Sequence, residues 1–255
     1  MKRFSILILS CLLMASFGMA RNMVYKVGAF DQITVDGNIR VVYRSVPDSA
    51  GKAIYRSGTD YSRAIEINCK GGKLSIKEKS GHDLGPIPTI YVYSDFLTKI
   101  TNKNNAFLRA ELSTRTPTLS INLYGDGEVE CSGLDLSKVS ASLYAGSGRI
   151  LLEGSSEEAD FSILGSGEIN TTGLEARTVK CNCIGKGEIK CAPIDLLDVK
   201  GVGKTKIYYI GNPKVKKIGL ASINRMGEIE DEPESGGIKA TAEEEYEPTV
   251  VTEDD

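Results

Sequence analysis

Apolar and polar residues alternate strictly along much of the second half of the chain. The alternation begins at positions 119, 139, 159 and 179, in the segments LSINL, VSASL, ADFSI and VKCNC, and a shorter run, LDVK, begins at Leu197. A period of two is typical of a β-strand that buries one face. The pattern therefore predicts a series of strands, the first four of which begin 20 residues apart.

A Gly-x-Gly triplet follows each of these strands, and a second short strand such as EVEC or RILL follows each of the first four triplets. Glycine adopts positive φ without steric cost, so these ten glycines are predicted to form sharp corners. Two strands and two turns in each repeat favour an all-β fold in which successive coils stack as a β-solenoid with about 20 residues per coil. The triplets are Gly125–Gly127, Gly146–Gly148, Gly165–Gly167, Gly185–Gly187 and Gly201–Gly203.

Three cysteines in the segment VKCNCIGKGEIKC could indicate a metal site or a redox site. Their spacing, Cys-x-Cys-x7-Cys, matches neither the usual zinc-binding patterns nor the Cys-x-x-Cys redox motif. In the repeat, Cys181 aligns with Ile121 and Phe161, whereas Cys183 aligns with Leu123 and Ile163. We therefore predict that Cys181, Cys183 and Cys191 are buried as small hydrophobic residues and that no cofactor is bound, with a disulfide or a metal site as the alternatives.

The first 20 residues have the pattern of a cleavable signal peptide. Lys2 and Arg3 precede an apolar run from Ile6 to Phe17, and Gly18-Met19-Ala20 is a small-x-small cleavage site. No later segment approaches the ~20 apolar residues of a membrane-spanning helix, so no transmembrane segment is predicted. We expect an exported protein that is periplasmic, exposed on the cell surface or secreted.

The rest of the chain is predicted to form one domain and a tail. Residues 21–118 form an irregular N-terminal β region, in which Lys70-Gly71-Gly72 is the turn of a hairpin, and residues 119–226 form the repeats. Residues 227–255 are acidic and lack periodicity, which predicts a disordered tail. Since the tail holds many of the acidic residues, the rest of the chain has a net charge near zero. It therefore lacks the basic face that is expected of a protein with a nucleic-acid partner.

Two rows of outward-facing residues are candidate contact surfaces. Tyr124, Tyr144, Leu164 and Ile184 form an apolar row that is predicted to be an interface between copies of the chain, unless the N-terminal strands cover it. The second row, just past the corners, is predicted to be a solvated charge ladder. An alternative interpretation makes two of its carboxylates, on adjacent coils, a Ca²⁺ site or a glycan contact. This second row consists of Glu128, Arg149, Glu168 and Glu188.

Three features together resemble one known family. The segment FDQITVDGNIRVVY, the GSG-like corners and the ending IYYIGNPKVKKIGLAS are similar to the head GIN domain family of putative auto-transporter adhesins, and the resemblance covers about Val24 to Arg225. It implies a right-handed β-superhelix like the pectin-lyase architecture, without catalytic residues, and a role in cell adhesion in Bacteroidetes-type bacteria. Asp126, Lys186 and Val202 depart from the family's Ser at the middle of the corner.

The expected function is that of an exported, non-enzymatic adhesion or interaction protein of the bacterial envelope. Its expected partners are further copies of the chain, as a homo-oligomer such as a trimer, and a glycan or another cell-surface molecule. The alternative function is a polysaccharide-active lyase or hydrolase on the same β-helix scaffold, because Glu168 and Glu188 could meet the separation that glycoside hydrolysis requires. The repeats, however, lack the local cluster of Asp, Arg, Lys or His that a catalytic coil would need.

Overall fold

The structure, a computed structural model, describes residues 21–81 and 84–227. The expected signal peptide, His82 and the acidic segment 228–255 lie outside the described residues. Strands account for 69% of the described residues and helix for 1%, which confirms the predicted all-β class. The fold is a β-solenoid of about 6 turns, with about 20 residues between stacked strands, as the repeat predicts.

Seventeen strands form one continuous sheet within the described residues, and a short 3₁₀ turn (Pro47–Ser49) precedes the fourth. In chain order the strands are β1 (Arg21–Lys26), β2 (Gln32–Asp36), β3 (Arg40–Ser45), β4 (Lys52–Ser57), β5 (Ile65–Lys70), β6 (Lys73–Glu78), β7 (Ile90–Ser94), β8 (Lys99–Lys103), β9 (Phe107–Glu111), β10 (Thr116–Tyr124), β11 (Glu128–Tyr144), β12 (Arg149–Gly165), β13 (Glu168–Gly185), β14 (Glu188–Gly203), β15 (Lys206–Tyr209), β16 (Lys214–Gly219) and β17 (Ser222–Arg225).

Two ladders of parallel pairing run along the solenoid. The first ladder contains, in order, β6, β2, β8, β10, β11, β12, β13, β14 and β16. The second contains β7, β3, β9, β11, β12, β13, β14, β15 and β17. The long strands β11 to β14 belong to both, because each begins in the second ladder, bends through a register shift and ends in the first. Parallel stacking therefore starts well before the repeats, at β6 and β7.

The two ladders enclose a core made of columns of stacked side chains. Cys181 pairs with Phe161 in the preceding coil, and Cys183 pairs with Ile163, as the alternation predicts. Cys181, Cys183 and Cys191 are all buried. Because side chains alternate between the two faces of a strand, every second residue of the stacked inner strands enters the core and most of the intervening residues face solvent. The predicted core position of these thiols is thus confirmed.

The N-terminal end of the solenoid is closed by antiparallel strands. β5 pairs with the outer edge of β6, and the predicted hairpin turn at Gly71-Gly72 joins them. β4 pairs with the outer edge of β7, and β1 pairs in turn with β4. The coil formed by β2 and β3 lies between the β6–β7 coil and the β8–β9 coil, so spatial order and chain order differ here.

The corners that follow β8, β10, β11, β12, β13 and β14 each have a left-handed residue at the same stacked position. An extra residue at the second repeat corner, Ala145, explains why the first two Gly-x-Gly triplets are 21 rather than 20 residues apart. Ala145 and Asn104 are the non-glycine residues with positive φ in the described part of the chain, at 58° and 60°. The stacked residues at this position are Asn104, Gly125, Ala145, Gly165, Gly185 and Gly203.

Gly201 does not form a corner, so this prediction is wrong. Gly201 pairs with Cys183 in the inward-facing column, and it is Gly203 that pairs with the corner residue Gly185. A side chain at Gly201 would collide with the Cβ of Ala221, so the glycine here allows close packing of the next coil and does not mark a turn. The second glycine of the triplet therefore begins the corner, and Thr205 takes the position that Gly187 has in the preceding coil.

Replacement of Gly185 by Ala is expected to lower the stability by roughly 2 kcal/mol or more, because φ is +131° and the added Cβ would meet the carbonyl oxygen of Gly165. That carbonyl accepts a 2.8 Å hydrogen bond from the Lys186 amide, so the coils would have to separate at this corner. Thermal unfolding followed by circular dichroism measures the effect. Lys186→Ala, an exposed change at the same corner, is the matched control, and equal melting temperatures for the two variants would contradict the prediction.

Candidate functional site

Apolar side chains occupy the last outward-facing strand position before the corner in successive coils, where they form an exposed row. The exposed fraction rises along the row from 42% at Tyr124 to 78% at Leu220, and Tyr144 is half-buried. The rings of Tyr124 and Tyr144 stack, with their centroids 4.8 Å apart. We call this row the apolar stripe; its members, on six successive coils, are Tyr124, Tyr144, Leu164, Ile184, Val202 and Leu220.

The structure brings together all four residues that the sequence predicts for this row and adds two. The N-terminal strands do not cover the row, because they stack at one end of the solenoid and not beside it. The sequence does not predict Val202 and Leu220 as members of the row, because Gly201 looks like the first corner residue of the fifth repeat. Counting from Gly203 instead places Val202 beside Ile184, and Leu220 follows one coil later.

A shallow groove of about 320 Å³ lies beside the stripe at its C-terminal half. Leu164, Ile184 and Val202 form one wall, and Ile218 lies opposite with 65% of its surface exposed. Ser162, Asn182 and Lys200 are the polar residues of the lining. Contiguous apolar surface of this kind is uncommon on a monomeric protein and is typical of a contact site.

The charge ladder lies just past the corners and is internally compensated. The Arg149 guanidinium lies 3.7 Å from a Glu128 oxygen and 3.2 Å from a Glu168 oxygen, so the predicted arrangement of an arginine between two glutamates is confirmed. Lys190, which is close to this row in the sequence, has its ammonium 2.9 Å from an oxygen of Glu168 and 2.9 Å from an oxygen of Glu188. A cation of the chain itself thus already bridges the proposed carboxylate pair.

The electrostatics of Glu168 do not suit a general acid. Burial acts to raise the pKa of this carboxyl, but Lys190 and Arg149 together bring the pKa below its usual value. A glycosidase acid needs a raised pKa so that it carries a proton near neutral pH. The geometry therefore gives no support to a hydrolytic or calcium-binding role for Glu168 and Glu188.

The cysteine cluster has the properties of core packing. All five cysteines in the described residues are free thiols, and all but Cys69 are buried. Burial raises the pKa of Cys183 to about 12. A hydrogen bond to Cys191, together with burial, raises the pKa of Cys181. No cluster of three or more His, Cys, Asp or Glu positioned for a metal ion occurs within the described residues.

The chain matches the model of one protein family, described as "Putative auto-transporter adhesin, head GIN domain", over residues 29–213. No curated protein matches it significantly. Within residues 21–81 and 84–227, no helix combines the length and the apolar character needed to cross a membrane.

Solved structures share this fold along most of their length. A protein from Parabacteroides distasonis described as a putative lipid binding protein is 26% identical with a TM-score of 0.63, and the match covers 83% of this chain and 98% of that one. A putative adhesin from Bacteroides fragilis is 20% identical with a TM-score of 0.67, over 81% and 97% of the two chains. Another from Parabacteroides merdae is 22% identical with a TM-score of 0.60, over 83% and 98%. At this level of identity the two adhesins support the fold alone.

The thiols are expected to differ sharply in reactivity. N-ethylmaleimide should label only Cys69 in the native protein, because the other four thiols are buried and cannot meet the reagent. In guanidinium chloride without a reductant, all five should react, as mass spectrometry would show. Labelling of Cys181 or Cys183 in the native state would contradict core packing, and fewer than five labels after unfolding would reveal a disulfide.

Replacement of Lys190 by Met is expected to destabilise the fold by about 1 kcal/mol near pH 7, because Glu168 and Glu188 would lose their shared cation. The folded-state pKa of Glu168 is lowered, so its ionic stabilisation is present above the unfolded pKa of about 4.3 and is lost as the pH falls through the folded pKa. The difference from the parent should therefore disappear near pH 3.

Urea unfolding of Lys190→Met at several pH values measures this effect. Lys186→Met is the control, because the Lys186 side chain is exposed and forms no ion pair within the described residues. A destabilisation by Lys190→Met that is the same at pH 3 and pH 7 would show that the aliphatic stem of Lys190 matters rather than its charge.

Proposed function

Because this chain belongs to the head GIN domain family of putative auto-transporter adhesins, we propose that it is an exported, non-enzymatic adhesion or interaction protein of the cell envelope that binds its partner through the apolar stripe. The observation that carries the proposal is a stacked row of six apolar side chains on a rigid face, five of them exposed and one half-buried. A solenoid suits this role because its hydrogen-bonded coils hold such a row straight without a ligand.

A second copy of the chain is the partner that the stripe fits best. The row is largely uncharged along its length, and its neighbour column is short and polar at Ser142 and Ser162. Burial of the side chains on both copies would contribute several kcal/mol at ~25 cal/mol per Å², before the entropic cost of association. The stripe continues to Leu220 in the last coil, so it offers a longer contact than the four predicted residues alone.

The groove beside the stripe supports a second candidate, the binding of a lipid acyl chain. Its walls are aliphatic, and Lys200 at its edge could meet an anionic headgroup. The related protein from Parabacteroides distasonis is described as a putative lipid binding protein, which agrees with this use of the same fold. A glycan ligand stays a prediction, which screening of the protein on a glycan array would test.

An enzymatic role on polysaccharides has less support. The Lys190 ammonium lies 2.9 Å from an oxygen of Glu168 and 2.9 Å from an oxygen of Glu188, and the lowered pKa of Glu168 does not suit a group that must hold a proton near neutral pH. The family and two of the related structures are described as adhesins and the third as a lipid binding protein, which agrees with a binding function.

Replacement of Tyr144 and Leu164 by Lys is expected to convert an oligomer into a monomer, because two charges would be buried in the contact. Sedimentation velocity of the parent and of the double variant at matched concentrations measures the change. Ser137→Lys with Ser155→Lys is the matched control, since it adds the same charge at exposed positions of the same two strands. The control should sediment like the parent.

Two results would contradict self-association through the stripe: a parent that is monomeric at high concentration, or a double variant that remains oligomeric. If the monomeric parent instead floats with phosphatidylglycerol vesicles and the double variant does not, the lipid candidate replaces the oligomer.

A further inference from the structure

The last coil of the solenoid carries a concentrated positive charge. Residues 199–227 contain seven Lys or Arg and no Asp or Glu. Residues 21–198, by contrast, contain 21 Lys or Arg and 22 Asp or Glu, so the rest of the described body is close to neutral. The seven cations are Lys200, Lys204, Lys206, Lys214, Lys216, Lys217 and Arg225.

Several cations of the earlier coils are ion-paired, whereas the seven cations of the last coil have no ionic partner within the described residues. Lys138 lies 2.6 Å from Asp160, Arg177 bridges Glu157 and Asp195, and Lys190 bridges two glutamates. None of the seven forms an ion pair within the described part of the chain. The charge compensation that runs along the solenoid therefore stops at its last coil.

The same coil is the open end of the solenoid. β16 pairs only with β14, and β17 only with β15, among the strands that the structure describes, so each leaves one edge without a strand partner. The other end is closed by antiparallel strands. Two cations also lie at the ends of core columns: Lys217 stacks on Val199, and Arg225 stacks on Tyr209. Charges at inward positions discourage an apolar strand from adding to the open edge.

The chain continues directly from this end into a segment of opposite charge. Residues 228–255 contain twelve Asp or Glu and one Lys, a net charge of −11. At ~3.3 Å per residue, this segment could extend over ~90 Å, whereas β16 spans only ~20 Å. A short covalent connection of this kind raises the effective concentration of the segment near the C-terminal end of the solenoid to about the millimolar range.

We propose that the acidic segment 228–255 docks on the basic last coil of its own chain and covers the open end of the solenoid. The twelve carboxylates supply the ionic partners that the seven cations lack within the described residues. The segment also suits the inward positions of Lys217 and Arg225, because these cations disfavour the pairing of an apolar strand but would form charge-assisted hydrogen bonds with an acidic one. The effect is an end cap that disfavours the end-to-end addition of another solenoid.

The charge pattern favours this occupant over the alternatives. A second copy stacked end to end would bring the seven cations against the β1 and β5 end, whose two strands carry three Lys or Arg and one Glu, or against seven more cations. An anionic lipid surface would have to displace a −11 segment that is tethered to the same coil. The attraction is electrostatic, so it should weaken as added salt shortens the screening length.

Carbodiimide cross-linking of the full chain tests the proposal, because the reagent joins a carboxylate to a nearby lysine amine with loss of water. At low ionic strength and high dilution, we expect carboxylates of residues 243–255 to form roughly tenfold more links to Lys214, Lys216 and Lys217 than to Lys70 and Lys73. The latter two lysines are also exposed, but they lie on the hairpin at the opposite end of the solenoid. Peptide mapping identifies the links, and 0.5 M salt should reduce them.

A second measurement does not depend on variants of the folded body. The variant replaces seven carboxylates of the acidic segment by the corresponding Gln or Asn, at positions Glu243, Glu244, Glu245, Glu247, Glu253, Asp254 and Asp255. In this variant, backbone hydrogen exchange in β16 and β17 should become faster, while exchange in β12 and β13 stays the same. Equal linking to the two ends, links found only between molecules, or unchanged exchange in β16 and β17 would overturn the proposal.

Discussion

Parallel hydrogen bonding between successive coils holds each residue directly above its counterpart in the coil before, and the other features of this protein depend on that register. It turns a sequence period into columns: inward columns become the core, outward columns become surface rows. The coils can approach closely enough for this pairing only where the corner lacks a side chain that would separate them, as at Gly185 beneath Gly165. A row such as the apolar stripe is therefore a direct product of backbone pairing.

The parts of the fold that the sequence predicts are those that local alternation determines. Cys181 and Cys183 could be placed in the core because a period of two assigns each residue to a face, whatever its chemistry. Two corner residues are not predicted correctly from the sequence, for opposite reasons. Ala145 looks like an ordinary strand residue, although it occupies a left-handed corner position, whereas Gly201 looks like a corner residue, although it lies within a strand. The non-sequential placement of the β6–β7 coil has no local signal, because long-range pairing decides it.

The candidate surfaces also contain parts that local alternation predicts and parts that it does not predict. Four members of the apolar stripe follow from alternation, whereas Val202 and Leu220 require the correct phase of the last two coils. In the charge ladder, a row of like positions identified Arg149 and its glutamates. Lys190 belongs to a neighbouring column, and only the structure shows that it reaches across to bridge Glu168 and Glu188. Side chains as long as lysine make contacts between columns that a column-by-column alignment does not represent.

The position of the β2–β3 coil between two coils that occur later in the chain has a consequence for how the protein folds. A solenoid built in chain order can add one coil at a time onto a finished edge, with short loops to close. Here the first coil acquires both of its neighbours only when the chain has been made as far as β9, at residue 111. Residues 32–111 must therefore assemble as one cooperative nucleus with high contact order, which is a slow step. The later coils can then grow from it as a template, one after another, towards the C-terminal end.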